Sequence, residues 1–297
     1  MPNRAFEYRQ RTILAANWRK LCRFRFPRFQ PPSPPVLLFK RILNSAKSEN
    51  KSVDKRRAAR YAVGPAFPFK AVLVLPVHDE DGNPLADKNH TQAWGGRLVD
   101  LSESGANIQI NAAAIARRGE PCSFKLGAAD FQLEFSGTIA HFRTYPQYAT
   151  CGFFFDFPDR ETQKAYLQLL EPVSIGASLV AVEPKKVVQD TAGLAKEQYS
   201  GRANALLTVW RRTGANGVYS FDFRMNAFGV RWSEGMTEVE PYGLSKLNLD
   251  GEKTDSPFVH LTAHELDDVR WLFCLAVPNI SKAVPLDVRK FLATLVA

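Results

Sequence analysis

Residues 97–110 read RLVDLSESGANIQI, and this stretch decides the fold of the first half of the chain. Apolar and polar side chains alternate on both sides of a Ser104-Gly105 turn, which is typical of two antiparallel strands. We therefore predict strands over residues 97–101 and 106–110. A hairpin of this kind has two open edges, so further strands are needed to cover it.

Four more segments show the strand pattern, and turn-forming residues separate them. They lie at residues 67–76, 122–126, 131–142 and 148–157. Six short antiparallel strands within about 90 residues favour a small barrel, because closure leaves no exposed edges. A helix over residues 158–171 follows the last strand, with Tyr166 and Leu169 on its apolar face.

The rest of the chain predicts a smaller α+β domain. An apolar stretch at residues 173–182 predicts one more strand. The meander that follows has strands at residues 205–211, 218–225 and 230–232. Thr262 and Glu265 have the spacing of a capping box that begins a helix, and a last helix spans residues 285–296.

The predicted fold class is mainly β, a six-stranded antiparallel β-barrel with a closing helix, followed by the smaller α+β domain. The predicted boundaries are an N-terminal arm at 1–51, the barrel domain at 52–184, a linker at 185–199 and the second domain at 200–297. Residues 155–161 and 259–265 share the pattern of a strand end followed by a capped helix. This echo leaves open that the second domain is a degenerate repeat of the first.

Charge is distributed unevenly along the 297 residues. Residues 1–60 hold 16 Lys and Arg against three acidic residues, whereas the remaining 237 residues hold 23 against 27. We therefore predict a basic arm attached to a mildly acidic globular body. A composition of 45% hydrophobic and 23% charged residues excludes a disordered or collagenous protein as the main interpretation.

Compartment follows from three local features of the sequence. No apolar run is long enough to span a bilayer, and the Arg-rich start does not resemble a signal peptide. The four cysteines are scattered and form no CxxC pattern. We therefore predict a cytoplasmic protein with reduced thiols.

Two short motifs carry the chemistry. Arg56-Arg57-Ala58-Ala59-Arg60 is an RxxxR pattern ahead of the first strand, and Asp100-Leu101-Ser102-Glu103-Ser104-Gly105 is a DxSxxG pattern at the hairpin turn. RxxxR alone is weak, since Arg19 and Arg23 form another. The order of the two motifs, their separation and the barrel pattern around them make the pair informative.

With these motifs the chain resembles the PilZ family, the bacterial receptor domain for cyclic di-GMP. The resemblance covers residues 52–172 and includes Cys151-Gly152-Phe153 in a late strand. It implies a six-stranded barrel that holds the dinucleotide on its outer surface between the two motifs. The ligand-binding residues that it implies are Arg56, Arg57, Arg60, Asp100, Ser102 and Gly105. The long stretch at 78–94 departs from the family, and the second domain does not match it.

The chemistry of cyclic di-GMP suits these residue types. An arginine fork can bind a phosphodiester bidentately, or the O6 and N7 acceptors of guanine. Asp100 can accept hydrogen bonds from guanine N1–H and N2–H, and Ser102 can exchange one with a base edge. Gly105 is expected to adopt a positive φ that lets the backbone approach the ligand. Binding is expected to order the RxxxR arm on the barrel and to pass the signal to a protein partner.

Two other classes of function stay open. No GxSxG, GxxxxGK[ST] or HExxH pattern occurs, so we predict no enzyme, no catalytic residues, no metal ligands and no cofactor. One alternative is an interaction module that keeps the barrel but binds no ligand. The other is a binder of nucleic acid or a membrane surface, which would use the aromatic and basic residues at 1–30. A solvated tail explains that arm equally well.

Overall fold

The computed structural model describes residues 59–79, 85, 90–128, 131–214, 217–244 and 258–296. The predicted arm and the motif residues Arg56 and Arg57 lie outside them. None of the helices in these ranges is long and apolar enough to cross a membrane.

Seven strands build the first sheet. They are β1 Tyr61–Ala62, β2 Lys70–Pro76, β3 Thr91–Ser102, β4 Gly105–Ile110, β5 Pro121–Ala128, β6 Phe131–Thr144 and β7 Ala149–Asp156. Six of them close a barrel in the order β2-β3-β4-β7-β6-β5, with β5 pairing back onto β2, and every pairing is antiparallel. The predicted six-stranded antiparallel barrel is confirmed. The short β1 is an addition, paired with the end of β3.

Strand β3 begins at Thr91, six residues before the predicted start. Its first half pairs with β2, including Gly95 opposite Val72 and Gly96 opposite Ala71. Glycines are depleted in strands and interrupt the alternation of side chains, which is why the pattern alone missed this half. Pairing with β2 supplies the backbone hydrogen bonds that stabilise it.

The barrel interior is aromatic. Phe124, Phe135 and Phe153 are almost fully buried, and the Phe153 and Phe135 rings lie 5.0 and 5.5 Å from that of Phe124. Helix α1, Arg160–Ser178, covers one end of this core. Its first turn is capped by Asp159, whose carboxylate accepts a hydrogen bond from the amide of Thr162.

The predicted end of this helix at residue 171 is wrong, because α1 continues through Pro172 to Ser178. Proline removes one backbone donor and normally stops a helix. Here Val173 and Ile175 beyond it are buried, and this burial offsets the cost of the proline. The strand predicted over residues 173–182 is therefore reduced to two residues.

Those two residues begin a second seven-stranded sheet. Its strands are β8 Val180–Ala181, β9 Leu194–Ser200, β10 Leu206–Arg212, β11 Ser220–Met225, β12 Phe228–Ser233, β13 Glu240–Leu244 and β14 Phe258–Val259. They pair in chain order as an antiparallel meander, unlike the strand order of the barrel. The sequence suggested a linker at residues 185–199, but strand β9 occupies most of its second half. The alternation of apolar and polar side chains is weak in this polar stretch, which is why the pattern did not predict the strand.

Two helices complete this part of the chain. Helix α2 spans Ala263–Ala276 and begins with the predicted capping box, in which Thr262 and Glu265 each bond to the other's backbone amide. A 3-10 turn, Val277–Asn279, follows it, and helix α3 spans Leu286–Thr294. The possible origin of this unit by duplication stays a prediction.

Helix α2 contacts both β units. Phe273 and Leu272 are buried in the core of the second sheet. On its other side Leu275 is buried in the barrel core, and the Trp271 ring lies 5.7 Å from that of Phe69. One helix therefore joins the two β units.

Candidate ligand-binding site

Arg60 and Asp100, one residue from each motif, lie side by side on the barrel surface. Pairing of β1 with β3 brings them together, although 40 residues separate them in the chain. Arg60 Nη1 lies 3.4 Å from Asp100 Oδ1, and their side chains are 52% and 19% exposed. An anionic ligand can therefore reach both partners.

A β-bulge turns Asp100 to the outside of the barrel. The register of β3 against β4 shifts between Leu98 and Asp100. Leu98 and Leu101 are both buried, which strict alternation would not allow for residues three positions apart. The extra residue of the bulge keeps both leucines in the core and leaves the carboxylate between them at the surface.

Asn107 lies directly opposite Asp100 on strand β4. Its Nδ2 donates to Asp100 Oδ2 at 3.4 Å. Its Oδ1 is buried and has no hydrogen-bond partner among the described residues. A buried acceptor without a partner is unfavourable, so a hydrogen bond to this oxygen would stabilise the site.

Ser102 and Gly105 shape the turn between β3 and β4. Ser102 is buried, and its hydroxyl donates to the Gly105 carbonyl oxygen at 2.9 Å. The Ser102 carbonyl oxygen in turn accepts from the Tyr166 hydroxyl of α1 at 2.7 Å. A direct contact of Ser102 with a ligand stays a prediction.

Gly105 was expected to have a positive φ, but it does not. Among the described residues, positive φ values occur at other positions. The glycine is required for a different reason. A Cβ at this position would lie 2.5 Å from the backbone oxygen of Phe153 on β7. The close approach is therefore to the neighbouring strand, and it keeps β4 within hydrogen-bonding distance of β7.

His141 completes a row that runs from Asp100 on β3 across β4 and β7 to β6. Asn107 pairs with Gly152 of β7, and Gly152 pairs with His141 of β6. A Cβ on Gly152 would lie 2.0 Å from His141 Cε1, so the imidazole ring lies across the glycine. Burial lowers the pKa of His141, the positive charges of Arg60 and Arg143 lower it further, and Asp100 opposes them.

A second row, parallel to the first, adds two more arginines. Arg97 pairs with Gln109, Gln109 with Thr150, and Thr150 with Arg143. Arg97 Nη2 donates to Gln109 Oε1 at 2.8 Å. An open groove of about 390 Å³, lined by residues 63–72 and 95–98, adjoins this row at Arg97.

Phe154 adds an exposed aromatic ring next to the motif turn. It pairs with Gly105 on one side and with Thr138 on the other, and it is 54% exposed. The neighbouring Phe153 is buried in the barrel, so the ring of Phe154 lies on the outer surface. An exposed aromatic face can stack on a nucleobase.

Together these residues form a cationic surface with hydrogen-bonding groups for a base. Arg60 contacts the Asp100 carboxylate, Arg60 and Arg143 both act on His141 in the same row, and Arg97 lies in the neighbouring row on β3. Within the described residues no group of three His, Cys, Asp or Glu side chains could hold a metal ion. The surface is suited to bind a phosphate ester together with the polar edge of a base.

No sequence motif marks Asn107, His141 or Arg143. Asn107 could have been found, because alternation along the predicted strand at 106–110 places it on the same face as the motif. His141 and Arg143 could not, because a second register shift, between Ile139 and His141, sets which side chains of β6 face outward.

Comparison with known proteins gives one family and several distant structures. Residues 54–171 match the model of the PilZ domain family. No curated protein is significantly similar to the chain. One similar solved structure is the K. pneumonia MrkH–cyclic di-GMP complex, with 12% identity, 40% of this chain and 51% of that chain covered, and a TM-score of 0.29.

Two further structures are similar at the same level. YcgR from Escherichia coli in complex with cyclic di-GMP has 15% identity, with 40% of this chain and 45% of that chain covered and a TM-score of 0.27. PlzA from Borreliella burgdorferi in complex with cyclic di-GMP has 9% identity, with 71% and 88% covered and a TM-score of 0.30. The chain spans about half the length of MrkH and YcgR. Scores this low establish no common overall arrangement.

Proposed function

We propose that this protein is a receptor for cyclic di-GMP, because residues 54–171 match the model of the PilZ domain family. The observation that carries the proposal is the contact of Arg60 with Asp100, which joins the two motifs on a cationic outer face of the barrel. The protein acts by binding, and it is a cytoplasmic receptor without catalytic activity.

In this proposal the arginines bind phosphate and the second motif binds base. Arg56, Arg57 and Arg60 surround the phosphodiesters, because guanidinium groups form strong charge-assisted hydrogen bonds with phosphate oxygens. Asp100 accepts from the N1–H and N2–H of a guanine. Asn107 Oδ1, which is buried without a partner, accepts a further hydrogen bond from the base or from an arginine that moves with the ligand.

Ser102 and Gly105 stabilise the backbone next to Asp100. The hydroxyl of Ser102 already has an acceptor in the Gly105 carbonyl, and Gly105 permits the close contact with β7. Both residues hold the turn that carries Asp100. Their contribution to affinity is therefore mainly geometric.

Ligand binding also orders the RxxxR segment on the barrel and passes the signal to a protein partner. Two phosphate groups reduce the repulsion among three neighbouring arginines and give each of them a directional partner. Protection of the bonds after Arg56 and Arg57 from trypsin, measured with and without cyclic di-GMP, tests this step. Equal cleavage in both states would contradict it.

Isothermal titration tests the receptor function directly. The full chain is titrated with cyclic di-GMP, cyclic di-AMP, GTP and a short DNA duplex. Saturable binding of cyclic di-GMP in preference to the others supports the proposal. Absence of binding up to about 100 µM ligand would overturn it, since a receptor of useful affinity saturates well below that concentration.

The second candidate function is an interaction module that binds no nucleotide. One observation favours it: contacts within the barrel already explain why a serine stands at position 102 and a glycine at position 105. A barrel that had lost its ligand could keep both for folding alone. The same titration separates the two functions.

A further inference from the structure

Beyond Arg60, the chain runs along the edge of β3 as an extended segment. Tyr61 and Ala62 pair with Leu101 and Asp100, and the amide of Val63 donates to the Val99 carbonyl oxygen at 2.9 Å. Any displacement of residues 61–64, which we call the support segment, would therefore move Arg60 relative to Asp100.

The far end of the support segment is held by the turn after helix α2. The amide of Gly64 donates to Asn279 Oδ1 at 3.0 Å. Asn279 is buried, and its Nδ2 donates to the Leu275 carbonyl oxygen at 2.8 Å. A Cβ on Gly64 would lie 2.0 Å from the backbone oxygen of Pro278, so the two backbones are in direct contact.

The near end is held by Arg202, in the loop between β9 and β10. Arg202 Nη1 donates to the Tyr61 hydroxyl. The Arg202 amide donates to Ser178 Oγ at 2.8 Å, which ties this loop to the last turn of α1. Burial raises the pKa of nearby Glu171, and the charge of Arg202 opposes the rise.

The turn after α2 is itself tied to helix α1. The Ser281 amide donates to the Gly176 carbonyl oxygen at 3.0 Å, and a Cβ on Gly176 would lie 2.4 Å from the Ala276 backbone oxygen. Residues 276–281 therefore contact the support segment on one side and α1 on the other. A glycine at each contact leaves no side chain to absorb a shift.

We propose that Asn279 and Arg202 are positioning residues of the ligand site, through which the C-terminal unit sets the position of Arg60 and senses its occupation. This inference rests on the proposed function. Neither residue is required to touch the ligand. If the C-terminal contacts favour the ligand-bound position of Arg60, ligand must favour those contacts by the same factor, because such coupling is reciprocal.

The mild test removes the Tyr61–Arg202 hydrogen bond. Tyr61→Phe and Arg202→Met are each expected to weaken cyclic di-GMP binding by about five-fold, at the lower end of typical coupling between sites. The double variant should be no weaker than the single ones, because both remove one bond. Arg212→Met is the matched control, since Arg212 pairs with Glu234 on the second sheet and should leave affinity unchanged.

The stronger test acts at the far end. Gly64→Ala forces the segment away from Pro278, whereas a Cβ on Gly127 of the same barrel would meet only the Phe131 backbone oxygen, at an ordinary 3.5 Å. Gly64→Ala should weaken binding about ten-fold, and Gly127→Ala should not. Thermal melting of each variant shows whether it is folded. If Gly64→Ala does not fold, the Tyr61 and Arg202 variants still decide the question.

Hydrogen exchange measures the reciprocal effect, which a purely structural role would not produce. In the wild type, cyclic di-GMP should slow exchange of the Ile280 and Ser281 amides, and Tyr61→Phe should reduce this protection. Wild-type binding without such protection, together with unchanged affinity in the variants, would overturn the inference and leave the receptor function standing. No binding by the wild type would overturn both.

Discussion

Arg60 and Asp100 contact each other across the two motifs, and in the proposed function a ligand takes the place of this contact. The pair is largely exposed on the arginine side, and surface ion pairs of this kind contribute at most about 1 kcal/mol to stability. Arg60→Ala should therefore leave the melting temperature nearly unchanged. It should weaken cyclic di-GMP binding by about 1.5–3 kcal/mol, as expected for charge-assisted hydrogen bonds, and Arg56→Ala should behave alike.

Asp100→Ala tests a different role at the same contact. Loss of the carboxylate removes the acceptor for guanine N1–H and N2–H, so discrimination between cyclic di-GMP and cyclic di-AMP should fall. Titration of both ligands against the variant and against Arg60→Ala measures this. If Asp100→Ala keeps the discrimination while Arg60→Ala abolishes binding, the assignment of guanine recognition to Asp100 is wrong.

Protonation of His141 should make both the stability of the protein and its ligand affinity depend on pH. It faces Arg60, Arg143 and Asp100, and its pKa in the folded protein lies below the ordinary value of 6.5. The folded state therefore binds fewer protons than the unfolded state, and stability of the free protein should fall as pH decreases below about 6.5. Bound phosphate favours imidazolium, so ligand affinity should instead rise over the same range.

The variant His141→Gln separates these effects from general acid sensitivity. It should reduce the pH dependence of affinity, measured by titration between about pH 5.5 and 7.5. His264→Gln is the control, because the exposed His264 pairs with Asp268 on helix α2, away from the barrel site. An unchanged slope in His141→Gln would show that another group titrates.

At the scale of elements, helix α1 supports the ligand site through one hydrogen bond. The Tyr166 hydroxyl is fully buried and donates to the Ser102 carbonyl oxygen. Tyr166→Phe removes a hydrogen bond to a buried carbonyl oxygen, so we expect a loss of about 0.5–1.5 kcal/mol in the free energy of unfolding, with weaker ligand binding. Tyr145→Phe, at an exposed tyrosine, should change stability by less than about 0.5 kcal/mol. Denaturant titration of both variants measures the difference, and equal stabilities would contradict this role of α1.

At the scale of the whole molecule, the uneven distribution of charge separates a basic N-terminal part from a mildly acidic remainder. Residues 1–60 carry 16 basic and three acidic residues, a net charge of +13, whereas the rest of the chain is slightly negative. Deletion of residues 1–45 removes most of this positive charge but keeps the RxxxR motif. Nucleotide affinity should therefore stay within a few-fold, whereas any binding to DNA or to anionic vesicles should be lost. Loss of nucleotide binding on this deletion would show that the arm is part of the ligand site.

The sequence by itself determined the features that depend on near neighbours in the chain. Alternation and turn residues predicted the six barrel strands, and the spacing of Thr262 and Glu265 predicted the cap of α2. The DxSxxG motif marked the turn that carries Asp100. These signals are local, because side-chain alternation and capping involve residues only a few positions apart.

Only the tertiary structure decided the features that depend on register between distant segments. The bulges in β3 and β6 determine that Asp100, Asn107 and His141 share one row, and no local pattern specifies which residue is bulged. Burial of Val173 and Ile175 carries α1 through Pro172, against the local preference of proline. Long-range pairing and burial outweigh local propensity wherever the two disagree, because the free energy of packing acts on the folded chain as a whole.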